Sequence, residues 1–363
     1  DYANAKVELA KVINSGKYEL WDKTATMGPS SYGTNMQLAK SQNENWSDGS
    51  EEYEYLTLYR AEADFCDEFL LELDIDGDMT TITSTEPYWF RAYMNWRKDE
   101  VNLPGNTTTA SDGWGFINPT RTFGYAFAKH DGNSVRRRAA IATYSEVYHD
   151  FPYLNKDVRG VMSSMLFENE GYFRMKYYDY VDDVVPERFA SGQTNGNRTN
   201  FPLMRYADVL LLYAEAVCMS GEGTANISGL EALNKVRRRA GLTDAPALDM
   251  DNAEYGIKAE RRFELWLEDC SRYVDLIRWG DYKKFITDTS IDGVSEHWGN
   301  ECAWLVGLKD ATKRTTDPTD WSNYEVRYDP LSTRGTWSDR FYLWPFPYAE
   351  TTQNPNLDQN TGW

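Results

Sequence analysis

Histidine and cysteine are scarce in this chain of 363 residues: three of the first (His130, His149, His297) and four of the second (Cys66, Cys218, Cys270, Cys302). The cysteines lie far apart and form no CxxC pair, so the ligand spacing of a zinc site is absent and no metal is expected. Cys218, inside an apolar helical run, reads as a small buried hydrophobe rather than a reactive thiol. No run of eighteen or more apolar residues occurs, which leaves no candidate for a membrane-spanning helix. Positive charge is also short, with 38 Lys and Arg against 57 Asp and Glu and a formal net charge of -19. A chain of that sign is repelled by nucleic acid and by anionic membrane surfaces, so neither is expected as a partner. The signatures GxSxG, HExxH, the Walker loop and GxGxxG are all missing; no enzyme and no cofactor are expected. No signal peptide is visible at Asp1, though a processed precursor would leave the same start.

What the chain does hold is apolar and aromatic mass. Hydrophobic residues make up 41% and aromatics 15%, with 13 Trp and 25 Tyr. The length fits one large domain or two. Four segments read as helices closed by glycine, which takes the left-handed position after a helix end without strain. They are 2–15 before Gly16, 203–220 before Gly221, 227–240 before Gly241 and 271–279 before Gly280; a fifth helix is expected over 252–268. In the second, Leu203, Ala207, Leu210, Leu211, Ala214, Val217 and Cys218 recur at helical spacing, and the small Ala207 and Ala214 leave room for a neighbour. Residues 201–287 therefore read as two successive helical hairpins, 203–240 and 252–279, of tetratricopeptide type. The opening helix, with an apolar stripe at Ala3, Val7, Ala10 and Ile13, reads as half of a further hairpin over 1–16. Its stripe is expected to stand exposed or to be covered by a separate polypeptide. Residues 17–200 and 288–363 are loop-rich by contrast, with short strand-like runs at 69–75 and 80–83. The expected fold is mainly α: tetratricopeptide-like helical hairpins with a long loop-rich region and a few short strands, in a single domain lacking its N-terminal part.

Several features resemble sites. DIDGD at 74–78 has its glycine fourth rather than sixth, which fits a tight turn and not a calcium loop. The triplet Arg136, Arg137, Arg138 reads as a solvated or ion-paired face. Asn-x-Ser/Thr sequons at Asn45, Asn106, Asn197 and Asn226 occur at chance frequency. The sharpest feature is ERRFELWLEDCSRYVDLIRWGD at 260–281, which puts Glu260, Glu264 and Glu268 on one helical face. Two carboxylates that close could serve a hydrolase. Each has an arginine within a turn, however, and arginine holds a carboxylate ionised, the wrong state for a general acid. Ile257 and Leu265 share the face, so the ladder is expected to be a buried ion network that holds the fold together. Aromatic residues meanwhile gather among polar ones in PYWFRAYMNWRKDE (87–100) and SDGWGF (111–116). A flat ring suits the C–H face of a sugar, and Arg, Asn and Asp suit its hydroxyl edge. The candidate ligand-binding residues are Trp89, Trp96 and Trp114 with Tyr88 and Tyr93, and Arg97 and Asn95 as polar partners; Trp298, Trp304 and Trp321 are the alternative. The plainer reading of any one of these tryptophans is a second small core.

FPLMRYADVLLLYAEAV (201–217), ALNKVRRRAGL (232–242), IKAERRFELWLEDCSRYVDLIRWGD (257–281) and LWPFPYAETTQNPNLDQNTGW (343–363) resemble four ordered blocks of the SusD/RagB-like lipoproteins, and KVINSGKYEL (11–20) resembles a weaker fifth. Asp269 and Cys270 stand where that family commonly has a glycine. The resemblance implies a non-catalytic, cell-surface oligosaccharide-binding protein of glycan-foraging bacteria. Such a protein is lipid-anchored to the outer membrane, through a cysteine outside this chain, and sits on a SusC-like TonB-dependent transporter. Three alternatives stay open: the same scaffold binding a peptide or other nutrient, a glycoside hydrolase, and a helical-repeat scaffold for protein partners.

Overall fold

A computed structural model describes residues 1–27, 52–74, 117–150, 170–177, 199–268, 271–287, 301–330 and 338–363. They fall in two compact units, Asp1–Asp269 with Ala303–Tyr328, and Cys270–Cys302 with Asp329–Trp363. The first holds helices α1 (Tyr2–Asn14), α2 (Arg121–Asp131), α3 (Val135–Ala140), α4 (Tyr144–Asp150), α5 (Tyr206–Ser220), α6 (Gly229–Arg239) and α7 (Ile257–Glu264). The second holds α8 (Ser271–Arg278), α9 (Tyr282–Thr287) and α10 (Tyr348–Gln353). Strands are short and paired in twos: β1 (Thr24–Met27) with β2 (Tyr53–Leu56), β3 (Phe69–Leu73) with β6 (Phe201–Arg205), β4 (Ile141–Thr143) with β5 (Tyr172–Arg174), and β7 (Glu301–Leu308) with β8 (Tyr324–Pro330). The mainly α reading with a few short strands agrees with this.

Helix α5 is the axis of the helical layer. Ala207, Leu210, Leu211, Tyr213 and Ala214 are fully buried, and α1, α6 and α7 all pack on it. The small side chains of Ala207 and Ala214 permit that close approach, as their spacing suggested. Ser228 caps α6, its hydroxyl accepting from the Glu231 N–H at 3.0 Å. Helix α1 departs from expectation in its C-terminal half only. Ala10 and Ile13 are buried with α5 in the core, and Leu9 and Val12 are packed against it. Ala3 and Val7 stand exposed. The helix is therefore docked along its C-terminal half by this chain's own residues. Lys6 Nζ donates to the Ser220 and Glu222 carbonyls at 3.3 and 2.8 Å, placing a cation at the carbonyl end of α5.

Three element boundaries differ from the sequence reading. Residues 203–205, expected in the second helix, are extended and pair with β3, and Arg205 has φ -124° before α5 begins. The chain gains an inter-strand ladder there, and the buried Arg205 side chain is aimed at carboxylates that a helical backbone would miss. The helix expected over 252–268 is shorter, since 252–256 form a turn and α7 ends at Glu264. Leu267 then takes φ +62°, a left-handed conformation uncommon for a γ-branched residue. Helices α2, α3 and α4 lie in a stretch read as loop-rich. Thr120 and Ser134 cap the first two, accepting from Phe123 N–H at 3.2 Å and Arg137 N–H at 3.0 Å. The run at 80–83, the turn glycine Gly77 and the pair Asp269–Cys270 lie outside the described residues.

The charged ladder is where the elements of the first unit meet. Five carboxylates (Glu68, Asp131, Glu260, Glu264, Glu268) and five cations (Arg136, Lys176, Arg205, Arg237, Arg239) form one connected cluster among the described residues. Arg205 bonds Glu264 at 3.0 Å and Glu268 at 2.6 and 2.9 Å and also pairs with Glu68. Arg239 joins Glu68 at 2.8 Å and reaches Glu264. Arg136 grips Asp131 through two bonds of 2.8 Å and reaches Glu260 at 2.8 Å. The Tyr59 hydroxyl donates to Glu268 at 2.9 Å. The left-handed Leu267 turns the chain after α7, and Glu268 comes back to the arginine that also holds Glu264. Arg136 and Arg137 are thus buried and ion-paired, Arg137 with Glu146 at 2.6 and 2.8 Å. Arg261 lies outside the cluster and pairs with Asp208 of α5 at 2.6 Å.

Glu264→Gln is expected to lower stability by roughly 3–5 kcal/mol, since it leaves buried guanidinium groups short of a counter-charge. Arg261→Ala should also lower stability, because it removes a buried guanidinium that pairs with Asp208. Urea midpoints of the two variants against the parent chain check this; equal and negligible shifts would show that the cluster does not hold the fold.

Candidate functional site

The sequence-predicted platform does not lie within the described residues: Tyr88, Trp89, Tyr93, Asn95, Trp96, Arg97 and Trp114 are all outside them, as is Trp298. The strand carrying Trp304 is described, its side chain is not. Trp321 is half-buried and committed to packing. Its indole N–H donates to the Tyr172 hydroxyl at 3.1 Å, and its ring stands edge-on to Tyr324 at 5.2 Å. A β-carbon at Gly171, where φ is +100°, would come within 2.4 Å of that ring, so glycine makes the seat for the tryptophan.

The carboxylate ladder, the other candidate, has the chemistry of a support and not of a catalyst. Arg239, Arg205 and Arg136 hold the Glu264 carboxyl well below the usual carboxylate range, outweighing the burial that would raise it. Arg205 and Lys176 lower Glu268 likewise, and Arg136 lowers Asp131. A general acid needs a proton at neutral pH, and these groups have none to give. The carboxylate oxygens accept from guanidinium groups, the Lys176 ammonium and the Tyr59 hydroxyl. Among the described residues no cluster of three or more His, Cys, Asp or Glu could hold a metal ion. Cys66 and Cys218 are free thiols, and burial pushes Cys66 up to about 11.

The described residues do form a groove of about 560 Å³ at the open edge of the helical layer. Its floor is apolar: Ile13 from the end of α1, Tyr18 and Leu20 from the loop that follows, Tyr206 from the start of α5, and Ile227. The Tyr18 and Tyr206 rings stack 6.2 Å apart at 29°. Glu19, Asp22, Asn226, Lys235, Arg238 and Arg239 make the rim. Arg239 is held by the ion cluster, and Arg238 pairs with Glu231 and Asp244 on the surface. No sequence signal was read for this groove beyond the segment KVINSGKYEL, which carries Tyr18 and Glu19.

Residues 142–363 match the SusD family. The chain belongs to the SusD family. A SusD-like protein of Bacteroides ovatus is 28% identical over 166 residues, or 44% of this chain and 29% of that protein. Among solved structures, a SusD-like protein from Bacteroides fragilis superposes with a TM-score of 0.60 at 20% identity, covering 100% of this chain and 62% of its own. Surface glycan-binding protein A from Bacteroides thetaiotaomicron, solved in complex with laminarihexaose, gives 0.55 at 18% identity, covering 99% of this chain and 59% of its own. The chain spans less than two thirds of the length of each of these three relatives. At these identities the solved structures establish a shared fold. The four sequence blocks that resembled SusD/RagB-like proteins all fall inside the matched range, and the weaker block at 11–20 falls outside it.

For this SusD-family chain the lowered carboxyl values carry a pH signature. Glu264, Glu268 and Asp131 have folded values below their ordinary values of 4.5, 4.5 and 3.8. Between the folded and unfolded values the unfolded chain binds more protons, so stability rises with pH across that window. The stabilisation is present above the ordinary carboxylate range and is lost as pH falls through and below it. Urea midpoints at pH 7, 5, 4 and 3 should therefore drop mainly over the last two steps, and drop less in Glu264→Gln. A parent chain equally stable at pH 7 and pH 3 would contradict the assignment.

Proposed function

We propose that this chain is a cell-surface oligosaccharide-binding protein of a nutrient-uptake system, binding without cleavage and passing its ligand to a TonB-dependent transporter of the SusC type. The observation that carries the reading is the SusD-family match over 142–363. A relative of the same fold, surface glycan-binding protein A, is named for glycan binding and was solved with laminarihexaose. Attachment to the extracellular face of the outer membrane through a lipid anchor belongs to the same proposal. So does the placement of the ligand on Trp89, Trp96 and Trp114, with Tyr88, Tyr93, Arg97 and Asn95 around them, which rests on composition alone. The lack of catalysis is supported by the ion-paired state of the Glu260, Glu264 and Glu268 ladder, whose first two acids a hydrolase reading would use.

A glycan array spanning plant, fungal and host oligosaccharides, laminarihexaose included, tests the reading, with bound ligand recovered and sized. Intact ligand at saturation is expected. Binding of peptides alone, or shortened products, would replace the reading with the nutrient-scaffold or hydrolase alternative. Alanine at the true platform among Trp89, Trp96 and Trp114 is expected to weaken binding at least about tenfold with the melting temperature unchanged, as loss of an interface anchor typically does. Normal binding by all three variants would move the platform elsewhere.

A further inference from the structure

The groove beside α1 combines an aromatic floor with polar groups that the fold leaves unused. Tyr206 is buried apart from its edge on the groove, and Tyr18 stacks on it. Neither phenol hydroxyl has a partner among the described residues. The same holds for the side chains of Glu19, Asp22, Asn226 and Lys235, all on the rim. On the same rim Arg238 is by contrast bonded to two acids, and Arg239 is held by the ion cluster. The volume, about 560 Å³, lies within the roughly 300–1,000 Å³ of pockets that enclose small ligands.

We propose that this groove, lined by residues other than the aromatic candidates at 87–116, is a saccharide-binding site and that it takes a neutral sugar. Each pyranose ring presents an apolar C–H face and a fringe of hydroxyls that both donate and accept. The stacked tyrosines offer the matching surface. Lys235 donates, Glu19 and Asp22 accept, and Asn226 and the phenol hydroxyls do both. Charge selects within the class. The free rim groups carry two carboxylates against one ammonium, in a chain of net charge -19, so a uronic-acid or sulfated glycan meets repulsion where a neutral one does not. The inference rests on the proposal that the chain binds glycans and adds a second place where it does so.

The test separates the two. The best neutral binder from the glycan array is titrated calorimetrically into four proteins: the parent chain, the groove variant Asp22→Ala/Lys235→Ala, the platform variant Trp89→Ala/Trp96→Ala/Trp114→Ala, and the combination. Asp22 and Lys235 are exposed and outside the ion cluster, so the groove variant should keep the parent melting temperature. Tyr18→Ala gives a further groove variant that removes the ring without altering charge. The expected result is residual binding in the platform variant that weakens at least tenfold when the groove changes are added, with acidic glycans silent throughout. If the platform variant binds nothing, or if the groove changes leave its residual binding intact, the groove is not a sugar site and the glycan-binding reading survives. If the parent chain binds no glycan on the array, both fall together.

Discussion

A single guanidinium, that of Arg205, is shared by Glu68, Glu264 and Glu268, and the first unit is arranged so that this sharing is possible. The strand β6 ends in an extended conformation that delivers the arginine, α7 delivers Glu264, and a left-handed residue at 267 turns the next carboxylate back toward it. Lysine could not replace it. Its point charge has no planar fork with which to hold three acids in fixed directions, whereas the guanidinium offers five donors in one plane. Around this centre the other cations follow the same logic, each bonding at least one carboxylate and most of them a backbone carbonyl as well.

A buried cluster of charges is not by itself a source of stability, because desolvation of every member opposes its attractions. What makes it tolerable here is balance: five carboxylates face four arginines and a lysine, with His130 beside Asp131 and with tyrosine and backbone groups adding further bonds. The apolar work is done next door, in the layer where α1, α6 and α7 close on α5. The two parts have different jobs. The apolar layer supplies burial, and the ionic cluster fixes which strand, helix and loop can meet, since any other register leaves a buried charge alone.

The helical layer was legible because glycine-closed, periodic segments at 203–220 and 227–240 carry their own signal, and Ala207 and Ala214 announce close packing. The Glu260, Glu264 and Glu268 spacing was legible as a ladder, yet for the wrong local reason. Its third member lies beyond the end of the helix, and its main partners, Arg136, Arg205 and Arg239, are remote in sequence from it. Spacing rules see four residues ahead and not sixty. Helices α3 and α4 are short, and α2 mixes glycine and aromatic residues without a long aliphatic stripe, so the caps Thr120 of α2 and Ser134 of α3 are weak cues on their own. The aromatic platform was read from composition and lies outside the described residues. The groove carries no contiguous signal beyond the segment at 11–20, since Tyr18, Tyr206 and Lys235 come from three separate segments.

The cluster also bears on how the chain reaches its native state. Its pairs close loops of 137 residues between Glu68 and Arg205, 124 between Arg136 and Glu260, and 171 between Glu68 and Arg239. Contacts of such separation form slowly, because loop closure must precede any reward. The packing of α1 on α5 spans a still longer stretch of chain, so the apolar layer and the ion cluster both join distant segments. The ion cluster is complete only when segments from Glu68 to Glu268 are all in place, so it ties together the whole of that span rather than any one stretch.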